Sequence, residues 1–171
     1  MYIPNIGIFT NLTEVILFTH KILSTIHRIN IIFRVIKLTD FSTIQTSTIQ
    51  SVFSKSNLGE IHFAEVIQQL IAIDVESYFV DYRCGETTYY FPNGKYIRHT
   101  FTTDVDKIAD FFDADQVKQA ILGAQSGQIM YPQFQELTYL AGCIGYYVWI
   151  KGKNVQYIGR LGEAHTEKFP Q

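Results

Sequence analysis

The sequence predicts an α+β fold, an antiparallel sheet with helices on one face, built as two pseudo-repeated ααββ units. Three observations point there. Between residues 41 and 171, two stretches of helical periodicity precede β-rich runs, and this order occurs twice. The β-rich runs are separated by hairpin-type turn signals. A shift of 68 residues pairs Gly59 with Gly127, Ile61 with Ile129, Tyr78 with Tyr146, Val80 with Val148 and Tyr89 with Tyr157. The same shift places Phe63 and Phe79 on Tyr131 and Tyr147, with one residue of gap needed in the second helix-to-strand connection. Two such units are too few for a solenoid and read as one packed layer pair.

Residues 1–40 differ from the rest of the chain. Ten of the forty are Ile, and their charges fall without a clean helical stripe. Thr, His, Lys, Arg and Asn interrupt the apolar stretch 14–38, so no run reaches the roughly 18 apolar residues of a membrane span. Neither a leading positive charge nor a small-residue cleavage site marks a secretory signal. The segment is expected to be an extension outside the main domain, with a helix somewhere in 12–38. A basic amphipathic segment on a membrane or partner, a structural extension and a misplaced translation start are its three readings.

The domain is expected to span 41–171. Ser42-Thr43-Ile44-Gln45 fits a capping box. It would open a Ser- and Thr-rich helix to about Lys55, weak by propensity and reliant on burying Ile44, Ile49, Val52 and Phe53. After Asn57-Leu58-Gly59 a second helix, about His62 to Ile73, turns Phe63, Val66, Ile67, Leu70 and Ile71 inward. Strands are predicted at Ser77–Tyr82, Thr87–Phe91 and Tyr96–Phe101, joined by Arg83-Cys84-Gly85-Glu86 and by Pro92-Asn93-Gly94. Asp113-Ala114-Asp115-Gln116 is a second capping-box pattern, opening a helix to about Gln125 with Val117, Ala120, Ile121 and Ala124 inward. Tyr131-Pro132 then opens a helix whose Met130, Phe134, Leu137 and Ala141 share one face. Gly142 is its expected left-handed cap, and Gly145–Ile150 reads as an aromatic strand. A Gly152-Lys153-Asn154 turn, a strand near Val155–Arg160 and a last strand after Leu161-Gly162 complete the domain.

Composition bounds the function. A chain of 171 residues, 47% hydrophobic and 15% aromatic, is long and apolar enough to bury a real core. A net charge of −2 excludes nucleic-acid binding through bulk positive charge, although residues 1–40 carry +2 and the remainder −4. Cys84 and Cys143 form neither a CxxC nor a zinc spacing, which fits two free thiols in a cytoplasmic setting.

Several of these segments together resemble a known family. Phe41-Ser42-x-x-Gln45, the Phe63-led helix, Glu76–Phe91, Gly127-x-x-x-Tyr131-Pro132-x-Phe134 and the Ala141-Gly142 exit are similar to the YbcV-like proteins (domain of unknown function 1398). These are small bacterial and prophage proteins sometimes labelled phage envelope proteins. The resemblance runs from about Phe41 to Pro170, the Gly127–Phe134 motif being its most specific part. It implies an α+β fold and no established activity, and it carries over no catalytic residues.

Candidate chemistry is sparse. Cys84 in a turn would need a base, and His99 is the candidate; Cys143 reads as a small core residue. The five histidines show no metal spacing, and Asp104, Asp106, Asp110, Asp113 and Asp115 lack the spacing of a calcium loop. No P-loop, GxGxxG or GxSxG occurs, so no metal and no cofactor are expected. Strand alternation offers more. Tyr78, Val80 and Tyr82 share one side and Phe79, Asp81 and Arg83 the other; Tyr146, Val148 and Ile150 likewise oppose Tyr147, Trp149 and Lys151. An unpaired carboxylate is heavily penalised under helices, so Asp81 places the second set outward. Phe79, Tyr147 and Trp149, fringed by Asp81, Arg83 and Lys151, are therefore the expected binding surface for a protein or small molecule. Residues 1–40 or the second subunit of a homodimer are the alternatives that would cover it. The competing function class is an enzyme with a thiol or metal-dependent hydrolase site between the repeats.

Overall fold

The computed structural model describes the backbone of residues 12–170 and the side chains of residues 16, 19–29 and 43–170. The chain divides into two units, Met1–Thr43 and Ile44–Gln171. Helix α1 spans Leu12–Leu58. In the first unit its Ile16, Ile22, Leu23, Ile26 and Ile29 are exposed. The helix expected within 12–38 is there, whereas a start at Ser42 is not. No Gly or Pro occurs from Leu12 to Leu58, so nothing in the backbone interrupts the helix. The Ser42 side chain lies outside the described residues.

Everything else belongs to the second unit. The last turns of α1 bury Ile49 and Val52, with Phe53 half-buried. Ile44 is exposed instead of buried. Its neighbour Gln45 occupies the inner stripe and donates from Nε2 to the Ile73 carbonyl at 3.1 Å. Helix α2 (Phe63–Ala72) is entered through a capping box in which the His62 amide donates to Glu65 Oε2 at 3.1 Å. It buries Val66, Ile67 and Leu70. Ile71 sits one position round the helix and faces solvent. Phe63 is also partly exposed, packing edge-on against Phe169 at 5.4 Å.

Three strands follow: β1 (Ser77–Asp81), β2 (Glu86–Tyr90) and β3 (Tyr96–Thr100). A 3₁₀ turn at Val105–Lys107 leads to α3 (Ala114–Gln125) and α4 (Tyr131–Leu140), and then to β4 (Cys143–Trp149), β5 (Asn154–Gly159) and β6 (Ala164–Lys168). Asp113 caps α3 as expected, its Oδ1 accepting from the Asp115 and Gln116 amides at 3.0 Å each. The strands form one antiparallel sheet in the order β3-β2-β1-β4-β5-β6. Each pair of helices therefore precedes three strands rather than two.

One sheet face is buried; the other is half-buried at Phe79 and Tyr147 and exposed at Trp149, with Ser77 and Thr88 buried on it. Tyr78, Val80, Tyr82, Tyr146, Val148, Val155 and Tyr157 join Val66, Ile67, Leu70, Val117, Ile121 and Phe134 in a single core. In α4 the buried positions are Phe134, Thr138 and Tyr139, whereas Leu137 is exposed. Polar Thr138 displaces the expected leucine because it has partners. Its hydroxyl donates to the Gln135 carbonyl at 2.9 Å and meets the Tyr82 hydroxyl at 3.0 Å.

Candidate functional site

The open face carries the residues the sequence singled out. Phe79 lies directly opposite Tyr147 across the central β1–β4 pair, and their rings stack at 4.2 Å with 19° between planes. Tyr147 stacks in turn on Trp149, two residues along the strand, at 5.3 Å and 13°. The result is a continuous three-ring stack whose last member, Trp149, is 41% exposed. Asp81 and Arg83 do not stand apart as separate edge charges. Arg83 grips the carboxylate through Nε at 3.1 Å, Nη2 at 2.7 Å and its own amide at 2.9 Å. Burial pushes the Asp81 carboxyl up, but the Arg83 hydrogen bonds outweigh it and hold the carboxyl below its ordinary value. Lys151 is exposed in the turn after β4.

The covered face holds a feature the sequence reading passed over. Between that face and the helices lies a cavity of about 640 Å³, well within the range of pockets that hold small molecules. Its walls are mostly apolar: Phe53, Val66, Ile67, Ile121 and Phe134 come from the helices, Ile61 from the connection before α2, and Val80 and Val155 from the sheet, with Asn57, Gln68 and Thr87 among the polar lining. Five tyrosines also line it: Tyr78, Tyr89, Tyr131, Tyr146 and Tyr157. Alternation along the strands puts four of them there, for Tyr78 sits opposite Tyr89 in the β1–β2 ladder and Tyr146 opposite Tyr157 in the β4–β5 ladder. The two pairs have nearly the same geometry, ring centroids 5.4 Å apart at 35° and 5.5 Å apart at 41°. Tyr131 arrives from the first turn of α4, where its hydroxyl accepts a long hydrogen bond from that of Tyr146 at 3.3 Å.

The remaining hydroxyls are the unusual part. Tyr78, Tyr89 and Tyr157 are only 5%, 4% and 5% exposed, yet among the described residues none of their hydroxyls has a hydrogen-bond partner. Among the described residues the buried polar side-chain atoms without a partner are His99 Nε2 and Gln135 Nε2, so these three phenol oxygens keep access to the cavity although their rings are buried. Here the hydroxyls border open space instead of packed protein. Burial, followed by mutual repulsion among Tyr78, Tyr89, Tyr131 and Tyr157, raises the Tyr78 hydroxyl well above the ordinary tyrosine range. Burial raises Tyr89, Tyr131, Tyr146 and Tyr157 as well. All five therefore stay neutral near pH 7, each offering a donor and an acceptor. The exposed residues His62, Gln125, Ser126 and Lys168 mark the mouth.

The thiol reading fares differently. Cys84 is exposed, with its sulfur 3.9 Å from the Asp81 carbonyl oxygen. Burial and the neighbouring carboxylates of Asp81 and Glu86 push its pKa up, the reverse of an activated nucleophile. His99 is not its partner: the imidazole stacks on Phe53 at 5.0 Å, and burial lowers its pKa. Cys143 is fully buried, as a small core residue would be, and burial pushes its thiol up to about 11. Among the described residues no cluster of three or more His, Cys, Asp or Glu is placed to hold a metal ion. No helix among them is long and apolar enough to cross a membrane.

One signal for the cavity did stand in the sequence. Tyr78, Tyr89, Tyr146 and Tyr157 are among the positions paired by the 68-residue shift, and a tyrosine that only fills core usually finds a partner for its hydroxyl. The model of a family described as "Protein of unknown function (DUF1398)" matches residues 50–166, which include every cavity-lining residue named above except Lys168, together with the aromatic stack. No curated protein matches the chain.

Proposed function

The chain belongs to the DUF1398 family of proteins of unknown function, and from that premise we propose that it is a binding domain holding a small molecule in the tyrosine-lined cavity. One observation carries this reading: three buried phenols without protein partners face a void of ligand size. The matched tyrosine pairs support the further proposal that the two halves are a pseudo-repeat, with the cavity at their junction. Pyrene, an uncharged hydrocarbon whose vibronic band ratio reports polarity, tests the site. It is expected to bind one per chain in an apolar setting. Ala124→Trp, which inserts a large ring from α3 into the cavity, should weaken it more than about tenfold, while Trp149→Ala should leave it unchanged. Loss on Trp149→Ala with Ala124→Trp silent would move the site to the other face.

The open face is the second reading, favoured by the exposure of Trp149 at the end of a stack of near-parallel rings. We propose it as a docking surface for a protein partner or a second copy of this chain, with Phe79, Tyr147 and Trp149 as anchors and Asp81, Arg83 and Lys151 around them. Residues 41–171 are proposed as the folded domain and 1–40 as an extension. A chain starting at residue 39 tests both proposals. It should unfold cooperatively at an unchanged urea midpoint, and acrylamide should quench Trp149, the single tryptophan. Loss of cooperative unfolding would shift the boundary; blue-shifted, unquenchable emission in a proven monomer would remove Trp149 from the open face.

A further inference from the structure

The cavity is close to symmetric in its phenols but not in what those phenols touch. Tyr78 and Tyr89 on one side answer Tyr146 and Tyr157 on the other, in the same cross-strand relation. The second helix of each half begins with an aromatic residue that lines the cavity, Phe63 at the start of α2 and Tyr131 at the start of α4. Only the second has a hydroxyl. Tyr146 thus donates its hydroxyl to Tyr131, while in the Tyr78–Tyr89 pair neither hydroxyl has a protein partner. The Tyr78–Tyr89 end consequently presents two neighbouring hydroxyls without a protein partner above walls of Val, Ile and Phe.

Charge narrows the choice further. The ionisable lining residues other than the tyrosines are His62, Glu167 and Lys168. His62 caps α2, and the other two lie at the end of the edge strand β6. Glu167 is already within 3.3 Å of His165. The interior wall therefore offers no counter-charge, and an ion enclosed there would lose its hydration without replacement.

Resting on the cavity reading proposed above, we infer that the ligand class is an uncharged, largely apolar molecule bearing a hydrogen-bond acceptor such as a ring carbonyl, with that acceptor at the Tyr78–Tyr89 end. Phenol hydroxyls donate to such a group while the Val, Ile and Phe walls take up the apolar body.

Three probes on the full chain separate this inference from the reading beneath it. Nile red is neutral and carries a ring carbonyl, pyrene has no acceptor, and 1-anilinonaphthalene-8-sulfonate is an anion. Fluorescence titration should find Nile red bound in the cavity, blocked by Ala124→Trp, and the sulfonate at least about tenfold weaker. Tyr78→Phe and Tyr89→Phe, each removing one oxygen, should weaken Nile red about two- to tenfold and leave pyrene unchanged. Tyr90→Phe, outside the cavity lining, should alter neither probe. If pyrene binds and Nile red ignores both phenylalanine variants, or if the sulfonate binds as tightly as Nile red, the ligand class is overturned while the cavity reading stands. If neither neutral probe binds, both fall together.

Discussion

Gly142→Ala is expected to lower the free energy of unfolding by about 3 kcal/mol or more, read as a fall in the urea midpoint at unchanged slope. Gly142 follows α4 at φ +73°, a region in which an L side chain costs roughly 1–2 kcal/mol. Conformation is the smaller part. A Cβ there would stand 2.1 Å from the Phe111 carbonyl oxygen and 2.6 Å from its carbon, backbone atoms that cannot swing aside. The approaching segment is itself fastened to the end of α4. Ala109 N–H donates to the Tyr139 carbonyl at 3.0 Å, and Asp113 N–H donates to the Ala141 carbonyl at 2.9 Å. Gly94→Ala is the control: φ is +77°, but nothing lies within 4 Å, so only the conformational part should appear. Equal losses at the two glycines would mean that the close approach does not exist.

Tyr82→Ala should be of similar or greater size, about 3–5 kcal/mol, as for other large aromatics emptied from a core. Tyr82 is fully buried just past β1, where its ring meets Tyr139 edge-on at 4.4 Å and Tyr146 at 5.8 Å. Its amide donates to the Ile144 carbonyl at 3.0 Å, which extends the β1–β4 ladder. Tyr82→Phe separates packing from polarity. Thr138 would keep its bond to the Gln135 carbonyl, so only one partner is lost and the change should be about 1 kcal/mol. Against a typical domain stability of about 5–15 kcal/mol, the alanine variant should bring the protein near its unfolding midpoint and the phenylalanine variant should not. Urea titration followed by far-ultraviolet circular dichroism measures both, and equal losses would place the weight on the hydroxyl rather than the ring.

The open-face and buried-face assignments were legible because they depend on period. Strand side chains alternate whatever lies beyond the strand, so Asp81 in β1 was enough to turn Tyr78 and Val80 inward and Phe79 outward. Helix faces were less legible at their margins. Ile44, Phe63, Ile71 and Leu137 are as apolar as their buried neighbours, and periodicity alone does not say which side of a helix stripe the sheet will cover. Thr138 shows the converse: a hydroxyl enters the core when Tyr82, 56 residues away in the chain, is there to meet it.

By itself, then, the sequence determined the elements, the hairpin turns, the Asp113 cap, the left-handed position at Gly142 and the sidedness of the central strands. Each of these depends on residues within a few positions of one another, where dihedral preference and side-chain period act directly. Only the tertiary structure decided the strand order, the approach of Phe111 to Gly142 and the cavity. The same tyrosines that read as core became a candidate binding wall because the helices stand off from them. The space between two layers is set by how all their side chains pack at once, and no local pattern encodes it.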